Sequence, residues 1–558
     1  MKVKAIYLPT LGVLAIICIV AVFVRSANAE SPFTEEAFLR GIAYTTSENN
    51  TFGKGLAFVD LDADGDDDLI ATGAANGVVG IWENDGDGFF TYRQTGGTPR
   101  ALPKASSVCA ADYNADGLKD VYIGNWVGGG GNLLLRNNGN FSFTDVAQEA
   151  GVNDLGAAGG CAWADYDNDG KIDLYVANRT GSESSPIPNR LYRNRGDGTF
   201  VDVAQELGVA DQRLSCQVLW FDLGNDGDAD FYLSTDKGYA TGLGNRMFRN
   251  DGGTFVEISA QSGTDILMEG MGIDATDVNG DGDQDIYITN SALGNPLFVS
   301  VAPESYIDGA AILGVTADRI GWGTAFFDYD QDGFPDLYVC NFGFAGHNNL
   351  FSQNQSGNFL DEAPATSCND AGGTYCMAVS DVDGDGDQDF IIQNAGSPLK
   401  LYINQKGGER NYIQFDVKGM QQNLDAIGAV VDMRIGSRRQ MREVRAGSNY
   451  KSQSSMRLHF GLDYAGIANP VTVRWPGGDE RVFENLPANA VYPLYQSAWL
   501  GDMNKDRDYD AADAALFVDV ILGNDTSIDR FMLADFNADF AVDGRDLAMF
   551  VERMLMRG

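Results

Sequence analysis

Aspartates recur at alternate positions of a nine-residue pattern, D-x-[DN]-x-D-G-x-x-D, which begins at Asp60, Asp112, Asp165, Asp222, Asp277, Asp328 and Asp381. In a tight loop, side chains at positions 1, 3 and 5 converge on one centre. Position 7 offers a carbonyl and position 9 a further carboxylate. That is the oxygen-rich shell of six to eight ligands, at about 2.3–2.6 Å, taken by a hard dication such as Ca2+. Glycine at position 6 permits the positive φ such a turn requires. The side-chain ligands expected are Asp60, Asp62, Asp64 and Asp68; Asp112, Asn114, Asp116 and Asp120; then Asp165, Asp167, Asp169 and Asp173. Later loops supply Asp277, Asn279, Asp281 and Asp285; Asp328, Asp330, Asp332 and Asp336; then Asp381, Asp383, Asp385 and Asp389. The fourth loop has Gly224 at position 3 and keeps only Asp222, Asp226 and Asp230, so a weak or water-filled site is expected there.

Carboxylates crowded this closely repel one another without a counterion. The loops hold 30 of the chain's 79 acidic residues, and the formal net charge is −40. Up to seven calcium ions are the expected remedy, because magnesium resists dehydration and demands a rigid octahedron. The same charge excludes nucleic acid and anionic lipid as partners. Only two histidines occur, His347 and His459, which disfavours zinc sites and imidazole-based catalysis.

Successive loops begin 51 to 57 residues apart, a period that calls for a repeat architecture. Each period reads as four short strands separated by Gly and Asn turns; in the third copy these are GCAWADYD, IDLYVAN, NRLYRNRG and GTFVDVAQELGV. A lone four-stranded sheet cannot bury both faces, whereas several ringed about an axis can. The predicted fold is therefore mainly β, a seven-bladed β-propeller over residues 30–408. The seventh period lacks its last segment after LYINQKGG, and a matching one, FTEEAFLRGI (Phe33 to Ile42), stands at the N-terminus instead. It is read as the strand that closes the ring, with a surface helix as the other possibility. The pattern resembles the FG-GAP/VCBS repeats of extracellular β-propellers, and the likeness spans residues 30 to about 408.

From about Asn411 the acidic loops stop and basic residues appear, as in RIGSRRQMREVRAG. Alternating strand-like runs over residues 409–497 predict a small β domain. EVRAGSNYKSQSSMRLHFGL followed by VRWPGG resembles the ASPIC/UnbV domain, a resemblance that leaves the role of the domain open. His459, between Leu458 and Phe460, reads as a strand residue rather than a ligand contact. Residues 498–558 contain a second duplication, DMNKDRDYDAAD and DFNADFAVDGRD, each leading into a helix (LFVDVIL, MFVERML). Here the final ligand stands at position 12, as in an EF-hand. The expected sets are Asp502, Asn504, Asp506, Asp510 and Asp513, and Asp535, Asn537, Asp539, Asp543 and Asp546, for up to two more calcium ions. The pair resembles a dockerin, an α-helical module whose family partner is a cohesin domain; the alternative is a calcium-stapled cap without a partner. Arg507 and Phe540 stand where such loops usually carry glycine, which predicts strained turns and weakened affinity. Ala511-Ala512 and Gly544-Arg545 differ at the positions that select partners in dockerins, so the twofold symmetry is imperfect.

Residues 1–29 read as an export signal: Lys2 and Lys4, an apolar run from Ala5 to Val24, then Ala27-Asn28-Ala29. The run is also long enough to span a bilayer, so a retained anchor is the alternative to cleavage. Six cysteines follow. Cys368 and Cys376 are the expected disulfide, whereas Cys109, Cys161 and Cys216 read equally well as buried apolar residues. The leading functional reading is a non-enzymatic, secreted or cell-surface binding or scaffold protein. It would be docked to a cohesin-type partner, with a glycan or cell-surface ligand and a tie to polysaccharide use. The alternative is a calcium-assisted polysaccharide lyase or glycosidase on the same scaffold. Membrane contact is expected only if the N-terminal run is kept.

Overall fold

The computed structural model describes residues 31–47, 54–74, 76–93, 102, 104–126, 130–179, 187–292, 294–317, 319–342, 347–406 and 408–557. The export signal lies outside them.

Seven four-stranded antiparallel sheets make up the larger part, each carrying one acidic loop between its first and second strands. We number the sheets 1–7 by their loops. In sheet 1 the strands are Leu56–Val59, Asp68–Ala71, Gly80–Asn84 and Phe90–Tyr92; in sheet 3, Ala158–Ala164, Asp173–Asn178, Arg190–Asn194 and Phe200–Asp202. Second strands such as Asp230–Thr235 and Asp285–Asn290 are buried along their whole length, which suits their β-branched and aromatic composition. The first strands of successive sheets pack on one another, and Thr374–Ser380 of sheet 7 packs on Leu56–Val59 of sheet 1, so the series closes into a propeller-like ring. One apolar cluster fills each of the seven junctions between neighbouring sheets. Sheet 7 takes its outermost strand from the other end of the chain. Phe33–Glu35 pairs with Lys400–Asn404, Phe33 opposite Asn404, and Phe33 is buried against Phe390 and Tyr329.

A smaller β domain follows, built from a sheet of Leu458–Asp463, Asn411–Lys418 and Val491–Tyr495 and a second of Arg438–Glu443, Val430–Ile435, Val471–Arg474 and Glu480–Phe483. It sits on the loop-bearing face of the ring. Its segment 446–455 enters the ring's centre and touches the inner strands of all seven sheets. Gln453 binds Leu56 and Phe58 of sheet 1 and Ala110 of sheet 2; Ala446 binds Trp163, and Lys451 N–H binds Gln217. Asn449 O accepts from Ile273, Tyr450 packs edge-on to Trp322, and Ser455 N–H donates to Val379 O.

Three helices end the chain: α1 (Ala511–Ile521), α2 (Ile528–Ala534) and α3 (Gly544–Arg557). The duplicated segment thus gives two helices longer than read from sequence, with a third between them. These helices share one continuous core with the β domain, in which Phe517 stacks on Phe550 and Tyr492 meets Phe540. Arg481 bridges the two parts, donating to Tyr495 O and Asp535 O.

The expected Cys368–Cys376 disulfide is not formed, and all six described cysteines are free and buried. The reason is position. Cys376 lies on an inner strand, in the junction between sheets 7 and 1, with Sγ against Lys54 O. Cys368 belongs to the junction between sheets 6 and 7, beside Thr366.

Candidate metal centres

Within each loop the first aspartate folds the turn around itself. Asp165 accepts the backbone N–H groups of Asp169 and Gly170, and Asp222, Asp328 and Asp112 do the same in their own loops. Position 6 is left-handed, φ +101° at Gly65 and +82° at Gly170, and so is position 4, as at Ala63, Asn168 and Gln331. The ninth aspartate opens the second strand and is a structural residue as well. One of its oxygens accepts a backbone N–H from the third strand in all seven sheets, at 2.6–2.9 Å. In six sheets the other oxygen accepts the N–H of loop position 2.

The folded loops bring ligand oxygens together. Those of Asp60, Asp62 and Asp68 lie within 4.8 Å of one another, as do those of Asp165, Asp167 and Asp173; Asp222, Asp226 and Asp230; Asp328, Asp330 and Asp332; and Asp381, Asp383 and Asp385. The fourth loop converges despite Gly224. Loops 2 and 5 carry asparagine at position 3, and there the amide turns onto position 5: Asn114 donates to Asp116 and Asn279 to Asp281, each at 2.9 Å. The C-terminal loops repeat the design. Asp502 accepts from Asp506 and Arg507, Asp535 from Asp539 and Phe540, and Asp513 and Asp546 close their loops onto Asp510 and Asp543.

Among the described residues, every aspartate oxygen that is buried without a hydrogen bond lies in five of the ring's seven loops, on Asp62, Asp66, Asp120, Asp167, Asp330, Asp381, Asp383 and Asp387, and none lies in the loops at Asp222 and Asp277. Burial also drives the loop carboxyls upward. Asp60, Asp112, Asp222 and Asp277 are raised to about 6, Asp165 and Asp381 to about 7, and Asp68 and Asp120 to about 9. Burial is the largest cause, and neighbouring carboxylates add to it. Bare, these clusters would hold protons near neutrality; a dication would neutralise them and fill the vacant lone pairs, so the donor set fits calcium.

Two kinds of residue tie the loops into a ring, and neither was singled out in the sequence. The first is an amide at the end of the third strand. Asn84, Asn137, Asn194, Asn250, Gln353 and Asn404 each donate at 2.7–2.9 Å to the position-2 carbonyl of the adjacent sheet's loop. The second is an amide at loop position 4 reaching positions 6 and 7 of the next loop. Asn168 meets Gly227 O and Asp228, Asn225 meets Gly282 O and Asp283, and Gln331 meets Gly386 O and Asp387. The sequence carried the signal: Asn or Gln stands at position 4 only where the next loop has Asp at position 7, except that Asp66 faces Gly384.

The β domain contacts all seven loops, largely with its basic residues. Arg457 donates to Gly65 O at 2.6 Å, Lys119 pairs with Asp425, and Gln422 N–H meets Gly170 O. Arg474 reaches Asn225, Arg439 reaches Asp281 O, and Arg438 reaches Asp332 O. His459 Nε2 lies 2.9 Å from Gly386 O, and burial lowers its pKa to about 4. His459 is thus a buried strand residue that touches a loop carbonyl. Arg507 and Phe540, at φ +68° and +58°, occupy the left-handed positions expected to strain the C-terminal loops. Both serve as anchors: Arg507 lies over Trp499, and Phe540 packs on Tyr492 and Phe531.

Residues 60–123, 112–176, 165–233 and 328–392 match the FG-GAP-like repeat, and residues 419–498 match ASPIC and UnbV. The chain therefore carries FG-GAP-like repeats and an ASPIC/UnbV domain. The repeat matches take in every loop of the ring but the one at Asp277. Cartilage acidic protein 1 of Mus musculus is 26% identical over 476 residues, covering 76% of this chain and 70% of its own length. The protein of that name from Homo sapiens is 25% identical, with 76% and 69% covered. Among solved structures, YCF48 bound to D1 peptide aligns with a TM-score of 0.42 at 10% identity, over 68% of this chain and 97% of its own. BBS1N in complex with ARL6DN, soaked with mercury, aligns with 0.40 at 8%, over 65% and 97%.

Proposed function

We propose that this chain is an extracytoplasmic, non-enzymatic binding scaffold, a seven-bladed β-propeller whose loops each take one calcium ion. The observation that carries the reading is the set of eight buried aspartate oxygens without hydrogen bonds, spread over five of the seven loops, beside the five convergent carboxylate groups. Calcium there would be structural. It would neutralise the clusters, rigidify the loops and hold the basic face of the β domain against them. The similarity to proteins named cartilage acidic protein 1 supports a non-catalytic role, and no helix among the described residues is long and apolar enough to cross a membrane.

The C-terminal loops would take up to two further ions, and their helices would form a dockerin-like module that meets a cohesin-type partner. Exposed apolar residues occupy equivalent positions in its two halves, Val518 on α1 with Leu522 just after it, and Val551 and Leu555 on α3, which supports such docking. A pull-down from the native cell surface, with and without chelator, tests partner and metal together. Capture of a cohesin-bearing protein only in calcium is the expected result. A chelated protein that keeps its melting temperature and binds no calcium at millimolar concentration would overturn the scaffold reading.

A further inference from the structure

One cleft on the loop-bearing face is large and carries two arginines on one wall. It has a volume of about 660 Å³, within the range of small-ligand sites, and lies between loops 5 and 6, the turn after Asn349–Gln353, and the hairpin of Val430–Ile435 and Arg438–Glu443. Its one acidic lining residue is Asp277, a buried member of loop 5. Arg438 and Arg439 line the opposite wall. The Arg438 guanidinium lies 3.9 Å above the Phe334 ring and also binds Asp332 O, which fixes its plane at the cleft. Arg439 is held by Asp432 and Asp281 O, and Arg434 stands opposite it in the hairpin register. Arg438 and Arg439 set this wall apart in a chain of net charge −40.

The remaining lining adds polar, uncharged groups. Gln353 is 2% exposed and lines the cleft; its Nε2 is engaged by Val278 O, while its Oε1 accepts no hydrogen bond. Such an acceptor pairs with an O–H or N–H donor. Gln355, Ser356 and Ser437 add exposed amides and hydroxyls at the rim. Most of these groups come from turns, which offer side-chain polar atoms rather than a strand edge along which a peptide could extend.

From this juxtaposition we propose that the cleft binds an acidic saccharide, its carboxylate on Arg438 and its hydroxyls on the amide and hydroxyl rim. The proposal deepens the scaffold reading and rests on it, since loops 5 and 6 form two of the walls. Titration calorimetry of the calcium-loaded full chain with trigalacturonate tests it, with uncharged maltotriose and an aspartate-rich hexapeptide in parallel. Saturable binding of trigalacturonate alone is expected, weakened at least tenfold in Arg438→Gln. Because Arg438 also steadies loop 6, a second variant, Ser356→Trp, fills the cleft from an exposed turn; it should abolish binding without shifting the melting temperature. No saturable heat with trigalacturonate, preference for the peptide, or binding untouched by Ser356→Trp would overturn the assignment. A protein that takes up calcium and captures its surface partner yet ignores the sugar would sink this proposal alone.

Discussion

Asn404 shows how single side chains hold the ring together. Its amide is buried and donates to Tyr329 O of the neighbouring loop and to Gln388 O of its own. Replacing it with leucine leaves two buried carbonyls without donors, a cost of about 1–3 kcal/mol for such a loss. Asn404→Leu should lower the urea midpoint without changing the slope, and a midpoint equal to wild type would contradict this role. The residue was visible in the sequence but was read only as part of a strand and turn. Nothing in a single repeat says that an asparagine after Leu-Tyr-Ile reaches across to the next sheet, because its partner is a backbone carbonyl about 75 residues away. Carboxylate clustering was legible for the opposite reason: ligand sets are local, and alternate residues of one loop must converge.

At the scale of the loop, charge and burial give a sign to the pH dependence. The folded loops raise Asp60, Asp112, Asp222 and Asp277 to about 6, and Asp68 and Asp120 to about 9, against an unfolded value near 3.9. The native state then holds protons that the unfolded chain releases, so metal-free protein loses stability as pH rises from about 4 towards 9. Calcium competes for the same oxygens and reverses the trend. Calorimetric scans should show the chelated melting temperature falling across that window, and the calcium-loaded one falling only on acidification below about 6. Neighbouring loops are also coupled. Asn225 binds Gly282 O and Asp283, so Asn225→Ala should weaken calcium uptake at loop 5 severalfold while loop 7, which it does not touch, stays unchanged. Calcium titrations of variants carrying a single intact loop pair would read this directly. That coupling is legible only when successive loops are compared, since the amide and the aspartate it serves belong to different repeats.

For the whole molecule, the four-strand period and the displaced closing strand were both legible, because each repeat buries its faces only against its neighbours. Removing residues 30–42 deletes the strand Phe33–Glu35 together with buried Phe33, Ala37 and Ile42. The melting temperature should drop by roughly 10 °C or more, and an unchanged melt would mean the ring does not depend on that strand. The insertion of segment 446–455 into the ring's centre was not legible. AGSNYKSQSS reads as a polar loop, and only the assembled sheets create the cavity that it fills. The basic stretch of the β domain stands out in the sequence, but only the assembled molecule shows that its arginines answer the acidic loops beneath it.

The closing strand has a mechanical corollary. Phe33–Glu35 joins the outer edge of sheet 7 through only three residue pairs. A pull applied through the N-terminal side therefore loads those three pairs before any other strand of the ring. Tension would strip this edge first, unseating Phe33 from the junction between sheets 6 and 7, while the loops and the inserted segment at the ring's centre bear load last.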